Sequence, residues 1–212
     1  MLRLLPLLIT TSLLGACASS TPEPALRYYQ FTIDYAQQQT ISQSREQTAH
    51  LLRLSPIKVQ GTLNNRAMVL KLSEHEIYSA KSHFWADNPA QMLASSTQTQ
   101  LMQSLEGVLV VRGADVYAEQ LQSSFYQLDI TVEQFNAGLE NDAEVAGLWR
   151  LSRVDNKGKL HVLKIARFYH NEPLAQDGYE ALAKAMAKAW HAMLKKMSEQ
   201  VNTLVTPIEL NK

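Results

Sequence analysis

Residues 125–135 read Phe-Tyr-Gln-Leu-Asp-Ile-Thr-Val-Glu-Gln-Phe, and apolar and polar side chains alternate through most of this stretch. Because successive side chains of a β-strand point to opposite faces, this spacing places the apolar members on one face. That apolar set comprises Tyr126, Leu128, Ile130 and Val132. The stretch therefore predicts a strand that packs on a core with one side and meets solvent with the other.

A hairpin is predicted after this strand. Residues 144–154 and 159–169 are strand-like runs on either side of Asp155-Asn156-Lys157-Gly158, whose residue types accept the positive φ angles of a tight turn. Shorter strands are predicted upstream at residues 26–33, 51–59, 67–72, 76–81 and 108–111, the second of them bent or ended near Pro56. Residues 34–49, rich in Gln, Ser and Thr, are predicted to form a loop or insertion.

Two main helices are predicted. Asn88 supplies a capping side chain, Pro89 suits the first helical position, and the helix runs to about Leu105. A second helix begins at Asp177 and Glu180, which have the spacing of a capping box. Its apolar stripe consists of Tyr179, Leu182, Met186, Trp190, Met193, Met197, Val201 and Leu204. Such a stripe is typical of a buried core face, and an interaction surface over part of it is the alternative.

The fold class predicted from these elements is α+β, a single domain. Its sheet is mostly antiparallel, with the two main helices packed on one face. The domain is expected over residues 26–205, with a C-terminal tail at 206–212. The apolar content of 46% is sufficient for a hydrophobic core.

The beginning of the chain resembles a bacterial lipoprotein signal. Arg3 precedes an apolar run that is too short to span a bilayer, and Leu14, Gly15, Ala16 and Cys17 match the lipobox that signal peptidase recognises. The pattern predicts a removed signal peptide over residues 1–16 and a lipidated Cys17. The alternatives are an ordinary secretory signal with a chance cysteine, or a buried apolar helix.

Lipidation also explains why Cys17 is the only cysteine of the chain, since an exported protein with one cysteine has no internal disulfide partner. Residues 17–25 are then the lipidated cysteine and a short polar tether that contains two prolines. Ala18 stands where an Asp would retain an enterobacterial lipoprotein at the inner membrane. The periplasmic face of the outer membrane is therefore the predicted location, with the inner membrane as the alternative.

Several function classes find no support in the sequence. Lys and Arg together equal Asp and Glu, so no basic excess suggests nucleic-acid binding. None of the six histidines has metal-ligand spacing to another, and Ser79 stands where a His-Glu-x-x-His motif from His75 would need its second histidine. Surface or half-buried histidines are expected instead. No Gly-x-Ser-x-Gly elbow or Gly-rich phosphate loop occurs. We expect a protein that is not an enzyme and that carries no cofactor beyond the covalent lipid.

The order of several short motifs resembles one family, the ABC-transport auxiliary lipoproteins of the PqiC/YmbA type. The motifs that carry the resemblance are Tyr28-Tyr29-Gln30, residues 83–89 (His-Phe-Trp-Ala-Asp-Asn-Pro), residues 128–136, Ala146-Gly147-Leu148-Trp149, Gln176-Asp177-Gly178-Tyr179 and Trp190. Residues 34–49 have no clear counterpart in that pattern.

The resemblance implies an outer-membrane subunit of an intermembrane lipid transport system. Its expected partners are a tunnel protein built from MCE domains and that protein's inner-membrane partner. A homo-oligomeric ring anchored to the membrane by lipid is also implied, with a contribution to envelope integrity. The alternatives are a lipoprotein adaptor for outer-membrane or cell-wall assembly, and an envelope hydrolase.

Overall fold

The computed structural model describes residues 24–32, 50–114 and 124–205. The elements in chain order are β1 Arg27–Tyr29, β2 His50–Leu54, β3 Lys58–Val59, β4 Ala67–Lys71, β5 Ile77–Trp85, α1 Pro89–Ser104, β6 Val108–Arg112, β7 Phe125–Ala137, β8 Asp142–Val154, β9 Leu160–Pro173 and α2 Tyr179–Leu204. A short 3₁₀ turn, Gly61–Leu63, follows β3.

Strand β7 lies at the centre of the sheet. On one side it pairs with β8 along nearly its whole length, and β8 pairs in turn with β9. On its other side β7 meets β2, then β3, then β4. The alternation predicted for this strand is confirmed, because Tyr126, Leu128, Ile130 and Val132 are all buried in the core.

The predicted α+β class is confirmed, and the sheet is mixed. The long pairings β7–β8 and β8–β9, together with β4–β5, are antiparallel. The pairings of β1 with β5, of β2 with β6, and of β7 with β2, β3 and β4 are parallel and short. The parallel pairings join segments far apart in the chain, which the periodicity of one segment does not reveal.

The start of α1 matches its prediction, and the start of α2 does not. The Asn88 side-chain oxygen accepts a hydrogen bond from the Ala90 backbone N–H at 2.9 Å, and Pro89 opens the helix. Helix α2 has Gly178 as its N-cap, with φ of 111° and no side-chain cap. The capping box expected from Asp177 and Glu180 was therefore wrong, because the chain enters the helix through a backbone conformation that favours glycine one residue later.

Both helices pack on the buried side of the sheet and on each other. The Ser96 hydroxyl lies 3.1 Å from Nε2 of His191, which links α1 to α2. Most of the α2 stripe is buried in one cluster with the strands, so the core interpretation of that stripe is the correct one. Its fully buried members are Leu182, Met186, Trp190, Met193, Met197 and Val201.

The turn of the β8–β9 hairpin also matches its prediction. The Asp155 carboxylate accepts hydrogen bonds from the backbone N–H groups of Lys157 and Lys159, each at 2.9 Å. Gly158 adopts a φ of 77°. The lipobox, most of the tether, the loop predicted at residues 34–49 and the tail at 206–212 lie outside the described residues. Within the described ranges, no helix is both long and apolar enough to cross a membrane.

Candidate functional site

The histidines are scattered over the fold. The prediction that all of them are exposed or half-buried was wrong for His50, which is only 4% exposed and packs edge-on against Tyr126. Burial, and then the charge of Arg153, lower the pKa of His50, and burial lowers the pKa of His191. Among the described residues, no three His, Cys, Asp or Glu side chains lie close enough to hold a metal ion.

A cavity of about 330 Å³ opens at one end of the sheet. It forms where the end of β4, the β7–β8 loop and the first turn of α2 meet. Its lining combines aliphatic side chains with polar ones, namely Leu70, Lys71, Ala137, Gly138, Leu139, Asn141, Asp142, Leu174, Gly178, Tyr179 and Leu182. We call it the β7–β8 cavity.

Among the described residues that line this cavity, Asp142 is the one carboxylate, and it is only 6% exposed. Its Oδ2 accepts a hydrogen bond from the Asn171 side chain at 3.1 Å. Its Oδ1 is buried and has no hydrogen-bond partner in the described part of the chain. A Cβ atom added at Gly138 would lie 2.1 Å from Oδ1, so glycine at this loop position makes room for the carboxylate. This unsatisfied oxygen is therefore buried against Gly138 and is not exposed to the cavity.

Lys71, the basic side chain on the described part of the cavity wall, is already paired. Nζ of Lys71 lies 2.7 Å from Oε2 of Glu144, and both side chains are largely buried. The side-chain amide of Asn136 also donates to Oε2 of Glu144. The ammonium of Lys71 is therefore held by Glu144 and not by Asp142.

Exposed apolar side chains flank the mouth of the β7–β8 cavity. Leu139, at the tip of the β7–β8 loop, is 51% exposed. Leu72, Ile77 and Tyr78, at the end of the β4–β5 hairpin, are also exposed. Strand pairing places Tyr78 opposite Leu70 and Ile77 opposite Lys71, and both Leu70 and Lys71 line the cavity. We call these four residues the cavity rim.

An aromatic stack joins the cavity to the strand that follows the tether. The rings of His83 and Tyr179 stack with centroids 3.8 Å apart, and the Tyr29 hydroxyl lies 2.8 Å from Nδ1 of His83. Tyr179 lines the cavity, and Tyr29 ends β1. Tyr29 lies twelve residues after Cys17, and a fully extended chain of that length spans at most about 43 Å. The cavity is therefore within reach of the surface to which Cys17 would be attached.

A second exposed surface lies on β9. This strand pairs with β8 only, as far as the described residues show, so it forms a margin of the sheet. Its outward apolar side chains are Leu160, Val162, Leu163, Ile165 and Tyr169. Ile165 is the most exposed of them, at 62%. We call these five residues the β9 stripe.

The sequence did not predict either surface as a functional site, although Tyr179 and Leu182 of the cavity belong to the α2 stripe, for which an interaction surface was the alternative. The cavity joins segments that are distant in the chain, so no pattern within one segment reveals it. The predicted site residues Leu14, Gly15, Ala16 and Cys17 lie outside the described residues and stay predictions.

Comparison with known proteins identifies the family. Residues 29–198 match the model of the ABC-type transport auxiliary lipoprotein component. The intermembrane transport lipoprotein PqiC of Escherichia coli K12 is 26% identical over 199 residues, which cover 93% of this chain and 97% of that protein. PqiC of Shigella flexneri matches to the same extent.

Solved structures share the fold. An uncharacterised protein superposes with a TM-score of 0.67 at 20% identity and covers 84% of this chain and 99% of its own. Protein XCC0632 from Xanthomonas campestris gives a TM-score of 0.62 at 14% identity and covers 84% of this chain and 95% of its own. Because the family model matches from the last residue of β1 into α2, the chain belongs to the ABC-type transport auxiliary lipoprotein component family.

Proposed function

We propose that this protein is the outer-membrane lipoprotein of an MCE-type intermembrane lipid transport system and contributes to envelope integrity without catalysing a reaction. The observation that carries the proposal is the match to the intermembrane transport lipoprotein PqiC along 93% of the chain. The lipobox at residues 14–17 supports the same function, because such a subunit must be held at a membrane surface.

Lipid on Cys17 anchors the domain to a membrane, and Ala18 favours the periplasmic face of the outer membrane. Each buried CH₂ of an acyl chain contributes about 0.8 kcal/mol, and a single chain gives only reversible binding. Two or more chains on Cys17 make the attachment durable. From there the domain receives one end of the tunnel formed by the MCE-domain protein. The inner-membrane partner of the MCE-domain protein anchors the other end of the tunnel.

The β9 stripe supports assembly into a homo-oligomeric ring. A long apolar strand that is exposed at the margin of a sheet favours association with another chain, which covers it. Rings form when each subunit contacts the next through two unlike surfaces, and the β9 stripe supplies one of the two.

Replacing Ile165 with Asp is expected to break the ring. A carboxylate at this 62% exposed position must be desolvated when a neighbouring subunit covers the stripe, but it stays hydrated in the single subunit. The mass of the intact lipoprotein in detergent, measured by light scattering, should fall to that of one subunit.

A deletion strain should become sensitive to detergent, and the wild-type gene should restore resistance where the gene for Ile165→Asp does not.

Asn202→Asp is the matched control, since it adds the same charge at an exposed position of α2. It should leave both the mass and the restored resistance unchanged. An Ile165→Asp protein that keeps the wild-type mass would contradict the role of the β9 stripe. A deletion strain with unchanged detergent resistance would count against the contribution to envelope integrity.

A further inference from the structure

The first described strand presents exposed apolar side chains close to the lipid anchor along the chain. Leu26, which immediately precedes β1, is 58% exposed, and Tyr28 in the middle of β1 is 55% exposed. Their two-residue spacing favours the same side of an extended chain. The Tyr28 ring also contacts the half-buried ring of Phe84 on β5, with centroids 5.9 Å apart. These three side chains form the apolar part of one surface.

Two arginines give this surface a positive charge. The Nε–H of Arg66 donates a hydrogen bond to the backbone oxygen of Trp85 at 3.0 Å, and its guanidinium lies 5.3 Å from the centre of the Tyr28 ring. Arg27 is exposed on β1 itself. Neither arginine forms an ion pair with a carboxylate of the described residues. Both charges are therefore available to an anion from outside the chain.

No acidic residue offsets these charges within the paired segments. Residues 26–29 and 83–85, where β1 pairs with the end of β5, contain neither Asp nor Glu. Asp87, two residues beyond β5, is in none of the ion pairs of the described residues. Aromatic and apolar side chains beside unpaired arginines are typical of surfaces at a membrane–water boundary, where rings lie among the headgroups and guanidinium groups bind phosphates. We call Leu26, Arg27, Tyr28, Arg66 and Phe84 the β1 surface.

The chain length between the anchor and the β1 surface keeps the two close together. Leu26 lies nine residues after Cys17, and a fully extended chain of that length spans at most about 32 Å. A link this short raises the effective concentration of the membrane at the β1 surface to roughly the millimolar range. A surface too weak to bind a membrane from solution therefore stays bound when the lipid on Cys17 holds it there.

The position of β1 in the sheet lets a flat partner approach it. As far as the described residues show, β1 pairs with β5 only, so its other edge is open. Arg27 and Tyr28 lie on opposite sides of β1, and the long arginine side chain can reach round the open edge. The β9 stripe lies at the opposite margin of the sheet. Contact through the β1 surface therefore leaves the β9 stripe available to a neighbouring subunit.

We propose that the β1 surface docks on the membrane that holds the lipid anchor. Leu26 and Tyr28 lie among the lipid headgroups, and Arg27 and Arg66 bind lipid phosphates. The partner is a bilayer that contains anionic phospholipids, because their charge complements the two arginines. This proposal rests on the lipid attachment at Cys17, which is part of the function proposed above, and it adds a fixed orientation of the domain on the membrane.

The test uses the intact acylated lipoprotein in nanodiscs that contain a trace of lipid with a nitroxide on its headgroup, which quenches nearby fluorophores. Since Cys17 is the only cysteine and carries the lipid, one introduced cysteine takes the fluorophore. A fluorophore on Gln30→Cys, at an exposed position directly after β1, should be strongly quenched in nanodiscs that contain phosphatidylglycerol. The same fluorophore on Asn156→Cys, in the β8–β9 turn, should be quenched little, because five strand spacings, about 24 Å in all, separate β1 from β9.

Removing the two charges is expected to weaken docking. Arg27→Gln combined with Arg66→Gln should lower the ratio of docked to undocked domain about fivefold for each charge removed. Quenching at residue 30 should then fall to the level seen in nanodiscs of phosphatidylcholine alone. Lys195→Gln combined with Lys196→Gln, at two exposed positions of α2, is the matched control with the same loss of charge and should leave quenching unchanged.

Leu26→Ser provides a second variant that does not depend on charge. It should lower quenching at residue 30 without changing the melting temperature, since Leu26 is exposed. Equal quenching at residues 30 and 156, or quenching that is unchanged in both the arginine variant and Leu26→Ser, would overturn the proposal. Absent quenching at residue 30 together with a lower mass of Leu26→Ser in detergent would also overturn it, because the β1 surface would then be a contact between subunits.

The failure of this docking surface is distinguishable from the failure of the proposed function. If the wild-type lipoprotein is acylated and captures its MCE-domain partner but residue 30 is not quenched, only the docking surface is wrong. If residue 30 is quenched and no MCE-domain partner is captured, the docking surface stands and the proposed function fails. If Cys17 carries no lipid in the wild-type protein, both fail.

Discussion

Trp190→Ala is expected to lower the free energy of unfolding by about 3–5 kcal/mol. The Trp190 side chain is fully buried in the core, where its ring meets that of Phe168 in an edge-to-face contact 6.2 Å between centroids. Truncation leaves a cavity between α2 and the β8–β9 hairpin, and packed neighbours fill such cavities only partly. Since domains of this size are stable by only about 5–15 kcal/mol, this is a large fraction of the total.

Urea denaturation followed by circular dichroism measures this change. Lys184→Ala is the matched control, because Lys184 is exposed on the same helix and the substitution should stay within about 0.5 kcal/mol of wild type. Trp190→Phe should fall between the two, since it keeps an aromatic ring and the indole Nε1 has no hydrogen-bond partner among the described residues. A loss below about 1 kcal/mol for Trp190→Ala would show that α2 is not packed as described.

Cys17→Ala is expected to abolish membrane attachment through lipid. Without the thiol no diacylglyceryl group can be added, and processing before residue 17 should fail, which leaves an uncleaved precursor or a mislocalised soluble form. Fractionation of the envelope and the apparent mass of the protein measure both effects. Wild-type protein should be found almost wholly in the outer-membrane fraction at the mature size.

Ser19→Ala controls for a small change next to the lipobox and should behave as wild type. A Cys17→Ala protein of mature size that still fractionates with the outer membrane would contradict lipid attachment at this residue. A wild-type protein found in the inner-membrane fraction would instead contradict the sorting inferred from Ala18.

Local sequence patterns predicted the secondary structure correctly where a segment's conformation depends on its own residues. The alternation around Leu128 predicted β7, the Asp155–Gly158 turn predicted the hairpin, and Asn88 with Pro89 predicted the start of α1. Each of these signals reports geometry within a few residues. The apolar stripe around Trp190 likewise predicted a long helix with one buried side.

Structural features that depend on residues far away in the chain could not be predicted from such local patterns. The three residues of β1 pair in parallel with β5 through Tyr28 and Phe84, and no local feature announces that pairing. His50 resembles any polar residue at the start of a strand, yet Tyr126 from β7 covers it. The β7–β8 cavity needs Leu70, Asp142 and Tyr179 together, which only the folded chain achieves.

The most direct test of the proposed function is to identify the protein that this lipoprotein contacts in the envelope. The full-length lipoprotein, tagged at its C-terminus, is cross-linked in living cells and purified, and its partners are quantified by mass spectrometry against an equally tagged unrelated outer-membrane lipoprotein. The account predicts strong enrichment of an MCE-domain protein together with its inner-membrane partner. Enrichment of a penicillin-binding protein or of an outer-membrane barrel assembly factor, without any MCE-domain protein, would contradict it.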